Sequence, residues 1–113
     1  MKKVEAIIRN EKLEDVKNAL SQIGVVGLNV ATIVGRGRQR GIVHTGRGGT
    51  SYTVDMLPKT KLEVVVEDSD VERVVQTIIE AARTGNIGDG KLFISPVEEV
   101  IRVRTGERGR NAL

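Results

Sequence analysis

Three short stretches carry groups that could hold an anion. The segment "TGNIGDGK", Thr84 to Lys91, ends a glycine-rich turn on a lysine, and "VIRVR", Val100 to Arg104, places two arginines on alternate residues. The third, "GRGRQRGIVHTGRGG" from Gly35 to Gly49, contains six of the thirteen glycines and four of the eighteen lysines and arginines, with no acid among them. A turn rich in glycine can aim several backbone N–H groups at one anion, and a lysine beside it supplies the charge. If "VIRVR" is extended, its alternation points both guanidiniums the same way, about 6.6 Å apart. Guanidinium forks match phosphate oxygens, so Lys91, Arg102 and Arg104 compose a candidate polyphosphate clamp. The competing reading is structural: a glycine C-cap with a tight turn at 85–91, and a solvated strand face whose arginines pair with Glu98, Glu99 or Glu107.

No familiar catalytic loop fits these stretches. Gly85 to Lys91 matches Gly-x4-Gly-Lys, yet Leu92 stands where a Walker A loop needs serine or threonine for magnesium. The predicted order is also helix, turn, strand, whereas a P-loop enters a helix whose N-terminal amides face the phosphate. Gly35-x-Gly37 lacks the third glycine of a dinucleotide fingerprint, and no helix follows it. His44 is the sole histidine and cysteine is absent, which removes disulfides, thiolate chemistry and a histidine-cluster metal site. Ser51 and Thr53 have no activating partner. The expectation is a protein without an active site.

The net charge is +3, but it is unevenly placed. Without the four basic residues of Gly35 to Gly49, fourteen lysines and arginines face fifteen acids, so the body is close to neutral. The basic loop has three readings: a nucleic-acid arm, an anion-binding loop, or an arm that docks on another protein. A nucleic-acid surface spreads basic charge over a face and adds stacking aromatics, and here the aromatics are Phe93 and Tyr52 alone. No apolar run approaches the roughly 20 residues of a membrane span, and "MKKVEAIIRNEK" lacks the apolar core of a secretory signal. A cytoplasmic protein is expected.

One domain over 1–113 suits this length. "KVEAIIR", Lys3 to Arg9, reads as a strand, and Asn10 as the cap of a helix from about Glu11 with Leu13, Val16, Leu20 and Ile23 at helical spacing, ended by Gly24. "GLNVATIVG" sets Leu28, Val30, Thr32 and Val34 on one face of a strand and Asn29, Ala31 and Ile33 on the other. "SYTVDML" is a returning extended segment, which Pro58 interrupts before "KLEVVV" resumes. Ser69 and Glu72 have the spacing of a capping box for a helix bearing Val71, Val74, Val75, Ile78, Ile79 and Ala82, closed by Gly85. "KLFIS" is the last strand, and Pro96 separates it from an extended "EEVIRVR". The order βαββαβ predicts an α+β, ferredoxin-like fold with an antiparallel sheet and both helices on one face. Adjacent apolar residues in "EAIIR" and "LEVVV" suggest that the second face is buried too, by packing in a homo-oligomer.

Four blocks, "GRGRQRG" after a strand, "VDMLPK", "ARTGNIGDGKLF" and "VIRVRTGE", resemble in order and spacing the PII nitrogen-regulatory signal-transduction family (GlnB/GlnK). The resemblance runs from Met1 to about Glu107. It implies a homotrimer with ATP or ADP in the clefts between subunits, 2-oxoglutarate beside magnesium-ATP, a long T-loop at about 36–55 between the second and third strands, and a C-terminal tail at about 105–113. By position, Gly27, Leu28 and Asn29 would contact adenine, and Gly35, Gly37, Arg38, Gln39, Gly88, Asp89, Gly90, Lys91, Arg102 and Arg104 the rest of the nucleotide. Gln39 would hold magnesium and touch 2-oxoglutarate, with Arg9, Arg40, Gly41 and Lys59 as further 2-oxoglutarate residues.

In the loop, the family's Tyr-Arg-Gly-Ala-Glu-Tyr pattern reads "GRGGTSY" here, with Gly46 in place of the first tyrosine. Arg47 aligns with the tip arginine that enters an ammonium channel, and Tyr52 with the uridylylated tyrosine; Ser51 beside it is a second candidate for modification. The implied function is non-enzymatic sensing of ATP/ADP and 2-oxoglutarate, with docking on an ammonium transporter or nitrogen-metabolism enzymes and membrane contact only through a transporter. The alternatives are a nitrogenase-regulating PII variant and, from another class, a ferredoxin-like RNA-binding module.

Overall fold

The computed structural model describes residues 1–36, 43–45, 51–53 and 56–113. The main sheet contains β1 (Lys2–Ile8), β2 (Asn29–Gly35), β5 (Leu57–Val66) and β6 (Lys91–Pro96), in the order β2-β5-β1-β6, with every pair antiparallel. Helices α1 (Leu13–Gln22) and α2 (Val71–Ala82) complete the predicted α+β ferredoxin-like fold. Two short strands between β2 and β5, β3 (Val43–Thr45) and β4 (Ser51–Thr53), pair with each other and set His44 opposite Tyr52. β4 lies in the segment expected to be extended, whereas β3 has no counterpart in the expectation.

Alternation decides which side chains meet the helices. Val4, Ala6 and Ile8 of β1 lie opposite Val64, Leu62 and Thr60 of β5, and these residues are buried. Val16 and Leu20 of α1 and Val74 and Ile78 of α2 close over them, as the 3.6-residue spacing requires. Burying each such side chain contributes about 1.5–3 kcal/mol. β2 also turns its even-numbered residues to this side, but it is an edge strand beyond the helices' reach, so Val30 and Val34 stay exposed.

The second sheet face is not the apolar surface expected. Ile7 and Val65 do point that way, but among Lys3, Glu5, Lys61 and Glu63, which form ion pairs at 3.8–4.0 Å. In "EAIIR" and "LEVVV" most of the apolar residues belong to the helix-facing side.

Three local expectations are corrected. Asn10 does not cap α1: it opens a 3-10 turn, Asn10–Lys12, and its Oδ1 accepts from the hydroxyl of buried Thr60 at 2.7 Å. Ser69 and Glu72 form no capping box, because a 3-10 turn at Asp68–Asp70 makes Asp70 the N-cap of α2, without a side-chain cap bond. Carboxylates at 68, 70 and 72 still suit the positive end of a helix. Pro58 does not interrupt β5, which runs unbroken from Leu57 to Val66 with Pro58 opposite Val34.

The segment 100–108 also departs from expectation. Instead of a strand, it reverses: Ile101 pairs with Arg108, the Arg102 N–H donates to the Glu107 carbonyl, and Gly106 donates back to Arg102. Val103 is fully exposed at this turn.

Candidate functional site

The glycine-rich turn after α2 lies against the end of β1. Gly85, Gly88 and Gly90 have φ of +90°, +105° and +104°, values that L side chains rarely adopt. Gly90 is constrained further, since a Cβ there would stand 1.6 Å from the Ile7 carbonyl oxygen. The turn therefore lies directly on backbone, with no room for a side chain between them.

Asp89 braces the turn from within. Its Oδ2 accepts from the Thr84 and Gly85 N–H groups, both at 2.8 Å, and its Oδ1 accepts from the Thr84 hydroxyl and from Arg9 Nε at 3.1 Å. These bonds, the Thr84 hydroxyl first, hold the carboxyl well below the usual carboxylate range, so it stays an anion at any ordinary pH. Arg9 leaves the end of β1 and also donates to the Ile87 carbonyl at 2.9 Å. Lys59, on β5, donates to the Gly88 carbonyl at 2.8 Å. Burial and then the nearby Arg9 charge lower the Lys59 pKa, against the opposing pull of Glu11 and Asp89.

Beside this turn is a cavity of about 450 Å³. Ile7, Leu57 and Phe93 form apolar walls, Gly35 at the end of β2 and Arg36 after it join the lining, and Lys59 and Lys91 bring charge to it. With Arg36, Lys59 and Lys91 there against Asp89, the lining is net cationic. Such a site can take an anion: glycine backbone within reach, lysines for carboxylate or phosphate, and apolar surface for the rest of a ligand. Among the described residues no group of three or more His, Asp or Glu side chains could hold a metal ion.

The structure brings together Gly35, Lys59, Gly88, Asp89, Gly90 and Lys91 at the cavity, with Arg9 behind the turn. It does not bring Gly27, Leu28, Asn29, Arg102 or Arg104 into the lining. Asn29 pairs with Glu63 and Gly35 with Leu57, so the two ends of β2 are about 20 Å apart. Arg102 pairs with Glu107 at 3.1 Å, the partner that the competing structural reading named. Arg104 lies in the reversing turn and not on a strand face beside Arg102. Gly37, Arg38, Gln39, Arg40, Gly41 and Arg47 lie outside the described residues, as do the side chains of Ser51 and Tyr52. Sequence reasoning missed Ile7, Phe93 and Thr84. Alternation on β1 and β6 puts Ile7 and Phe93 on the non-helix face, and Thr84 stands where a short hydroxyl can meet a carboxylate five residues on.

A ferredoxin-like domain with a cationic cleft at a glycine turn is the class that fold and site define. The family model "Nitrogen regulatory protein P-II" matches residues 1–107. The chain is 58% identical over its whole length to Nitrogen regulatory protein P-II 2 of Methanothermobacter thermautotrophicus, covering 97% of that protein. It is 55% identical to Nitrogen regulatory protein P-II of Azospirillum brasilense, with both chains fully covered. The crystal structure of Arabidopsis thaliana PII bound to citrate superposes with a TM-score of 0.81 at 45% identity, covering 99% of this chain and 91% of that one. The chain belongs to the nitrogen regulatory protein P-II family, whose members are regulators in nitrogen signalling. No helix among the described residues is long and apolar enough to cross a membrane.

Proposed function

We propose that this protein is a non-enzymatic, cytoplasmic sensor that binds ATP or ADP at the Thr84–Lys91 turn and 2-oxoglutarate at Lys59. The observation that carries the reading is the meeting of Lys59 with the glycine turn, its Nζ 2.8 Å from the Gly88 carbonyl, in a net cationic cleft. Gly88, Gly90 and Lys91 would meet the phosphates, and Lys59 a carboxylate of the effector. The Arabidopsis relative bound to citrate supports a carboxylate ligand for this family. Gln39, with Arg40 and Gly41, would complete the effector site and hold magnesium, which would neutralise phosphate charge.

A homotrimer is proposed on the division of the nucleotide residues. Gly35 and the turn form one group, while Gly27 to Asn29 lie about 20 Å away along β2. A cleft between two copies would join the turn of one to the far group of its neighbour, with Arg102 and Arg104 joining from the tail. Sedimentation at micromolar concentration should give three times the 12.3 kDa chain mass.

Signalling would be a population shift. ATP with 2-oxoglutarate favours one arrangement of the segment that includes Gln39, Arg47 and Tyr52, and ADP favours another that docks on an ammonium transporter or a nitrogen-metabolism enzyme. A difference of about 1–3 kcal/mol between the two changes partner occupancy five- to 150-fold. Calorimetric titration of 2-oxoglutarate with magnesium-ATP, with ADP and with neither tests the sensor: uptake only with magnesium-ATP supports it, and equal uptake in all three refutes it.

A further inference from the structure

We infer that Asn10 and Thr60 are positioning residues that hold the effector lysine, Lys59, in register with the nucleotide turn. The inference deepens the proposed effector reading and rests on it. Thr60 is the one buried polar residue among the described residues, 3% exposed on the face of β5 that Leu62, Val64 and Val66 turn to the helices. Valine would fill the same outline without burying a hydroxyl, so packing alone does not account for a threonine there. Its hydroxyl donates at 2.7 Å to Oδ1 of Asn10, which opens the 3-10 turn just after β1.

The bond closes a gap in the sheet. The β1–β5 ladder ends at the pair Ile8–Thr60, and beyond it Lys59, Pro58 and Leu57 pair with Ile33, Val34 and Gly35 of β2 and not with β1. The nucleotide turn belongs to the other side of that gap: Gly90 lies against the Ile7 carbonyl, Lys91 pairs with Ile7, and Asp89 with Arg9. Lys59 is thus carried by β5 and β2, and the turn by the end of β1. The Thr60–Asn10 bond ties the two supports together beside Lys59 on one chain and beside Arg9 on the other. Lys59 Nζ also reaches the Gly88 carbonyl, but a flexible four-carbon stem does not fix the backbone beneath it. An effector bound by Lys59 beside a nucleotide on the turn needs the two groups at a set distance, held to within about 0.5 Å.

Calorimetric titration of ATP alone, and of 2-oxoglutarate at saturating magnesium-ATP, tests this. Thr60→Val removes the hydroxyl and keeps the outline; it should weaken 2-oxoglutarate binding about fivefold to tenfold, the scale of one hydrogen bond, and leave the affinity for ATP alone unchanged. Thr60→Ser keeps the donor and should restore effector binding. Asn10→Ala, at an exposed position, should match Thr60→Val, and the double variant should bind no more weakly than either, since each breaks the same bond. Should Thr60→Val fail to fold, Asn10→Ala carries the test. Unchanged 2-oxoglutarate affinity in Thr60→Val and Asn10→Ala overturns the inference and leaves the effector reading standing. Equal losses of ATP and 2-oxoglutarate affinity do the same, because a general loosening of the fold would produce them. Wild-type protein that takes up no 2-oxoglutarate with magnesium-ATP overturns the effector reading, and this inference with it.

Discussion

The two halves of the proposed nucleotide site are held by different means. At 84–91 the turn is fixed by backbone: positive φ at Gly88 and Gly90, contact of Gly90 with Ile7, and the Arg9–Asp89–Thr84 brace. At 100–113 the arginines are held by exchangeable surface pairs, Arg102 to Glu107 and Arg108 to Glu99, and the Arg102 and Arg110 side chains are at least 38% exposed. The first half is held by contacts within the chain itself. In the second, Arg102 is paired with its own acid, so a ligand reaching that arginine would compete with Glu107. Pre-formed backbone supplies affinity with little ordering cost, while a competed arginine makes binding sensitive to its surroundings.

Gly90→Ala should have the largest effect, because both space and conformation oppose it. A methyl group 1.6 Å from the Ile7 oxygen cannot be accommodated without moving β1 or the turn, at a residue already at φ +104°. Chemical denaturation should show a loss of about 3 kcal/mol, and ATP binding should vanish. Gly109→Ala is the matched control in the tail: φ is +71° there, but nothing lies within 4 Å of the added carbon. Its cost should be about 1 kcal/mol. Equal losses in the two variants would remove the distinction between the halves.

Lys59 sharpens the contrast through pH. Its pKa is lowered from 10.5, so the folded protein releases this proton more readily than the unfolded chain does. For a cation the sign is then unfavourable: charged Lys59 detracts from stability at neutral pH, and the penalty fades as pH rises through its folded value. Lys59→Met should therefore not destabilise the fold at neutral pH, yet it should abolish 2-oxoglutarate binding. In the wild type, 2-oxoglutarate affinity should hold near neutrality and decline with a midpoint below 10.5, as seen by titration across alkaline pH. A midpoint at or above 10.5 would show that Lys59 is not the group that meets the carboxylate.

The contrast also explains which parts were legible in the sequence. Helix and strand positions followed from local periodicity, because Val74 and Ile78, or Val4 and Ala6, report a face whatever they pack against. The turn was legible as glycines ending on a lysine, but its brace was not, since Arg9 and Asp89 are eighty residues apart. Asn10 has a good cap residue's chemistry, but Thr60, fifty residues away, takes its oxygen. "VIRVR" alternates as a strand does, yet glycines with positive φ at 106 and 109 let the chain fold back on it, so that Ile101 makes an isolated bridge to Arg108 and Glu107 takes Arg102. Local patterns specify faces, and contacts distant in sequence decide which polar groups are spent inside the fold.

The smallest expected effect tests the competed half directly. Glu107 Oε1 lies 3.1 Å from the Arg102 guanidinium, with both side chains more than a third exposed. An exposed pair of this kind contributes about 0.2–1 kcal/mol, so Glu107→Gln should barely change the denaturation midpoint. If the acid competes with phosphate for Arg102, removing its charge should tighten ATP binding by a few-fold, at most about fivefold for a pair of that strength. Arg102→Ala should weaken ATP binding with equally little effect on stability. Weaker ATP binding in Glu107→Gln would mean instead that the acid aims Arg102 at the ligand, and the tail would then be as pre-formed as the turn.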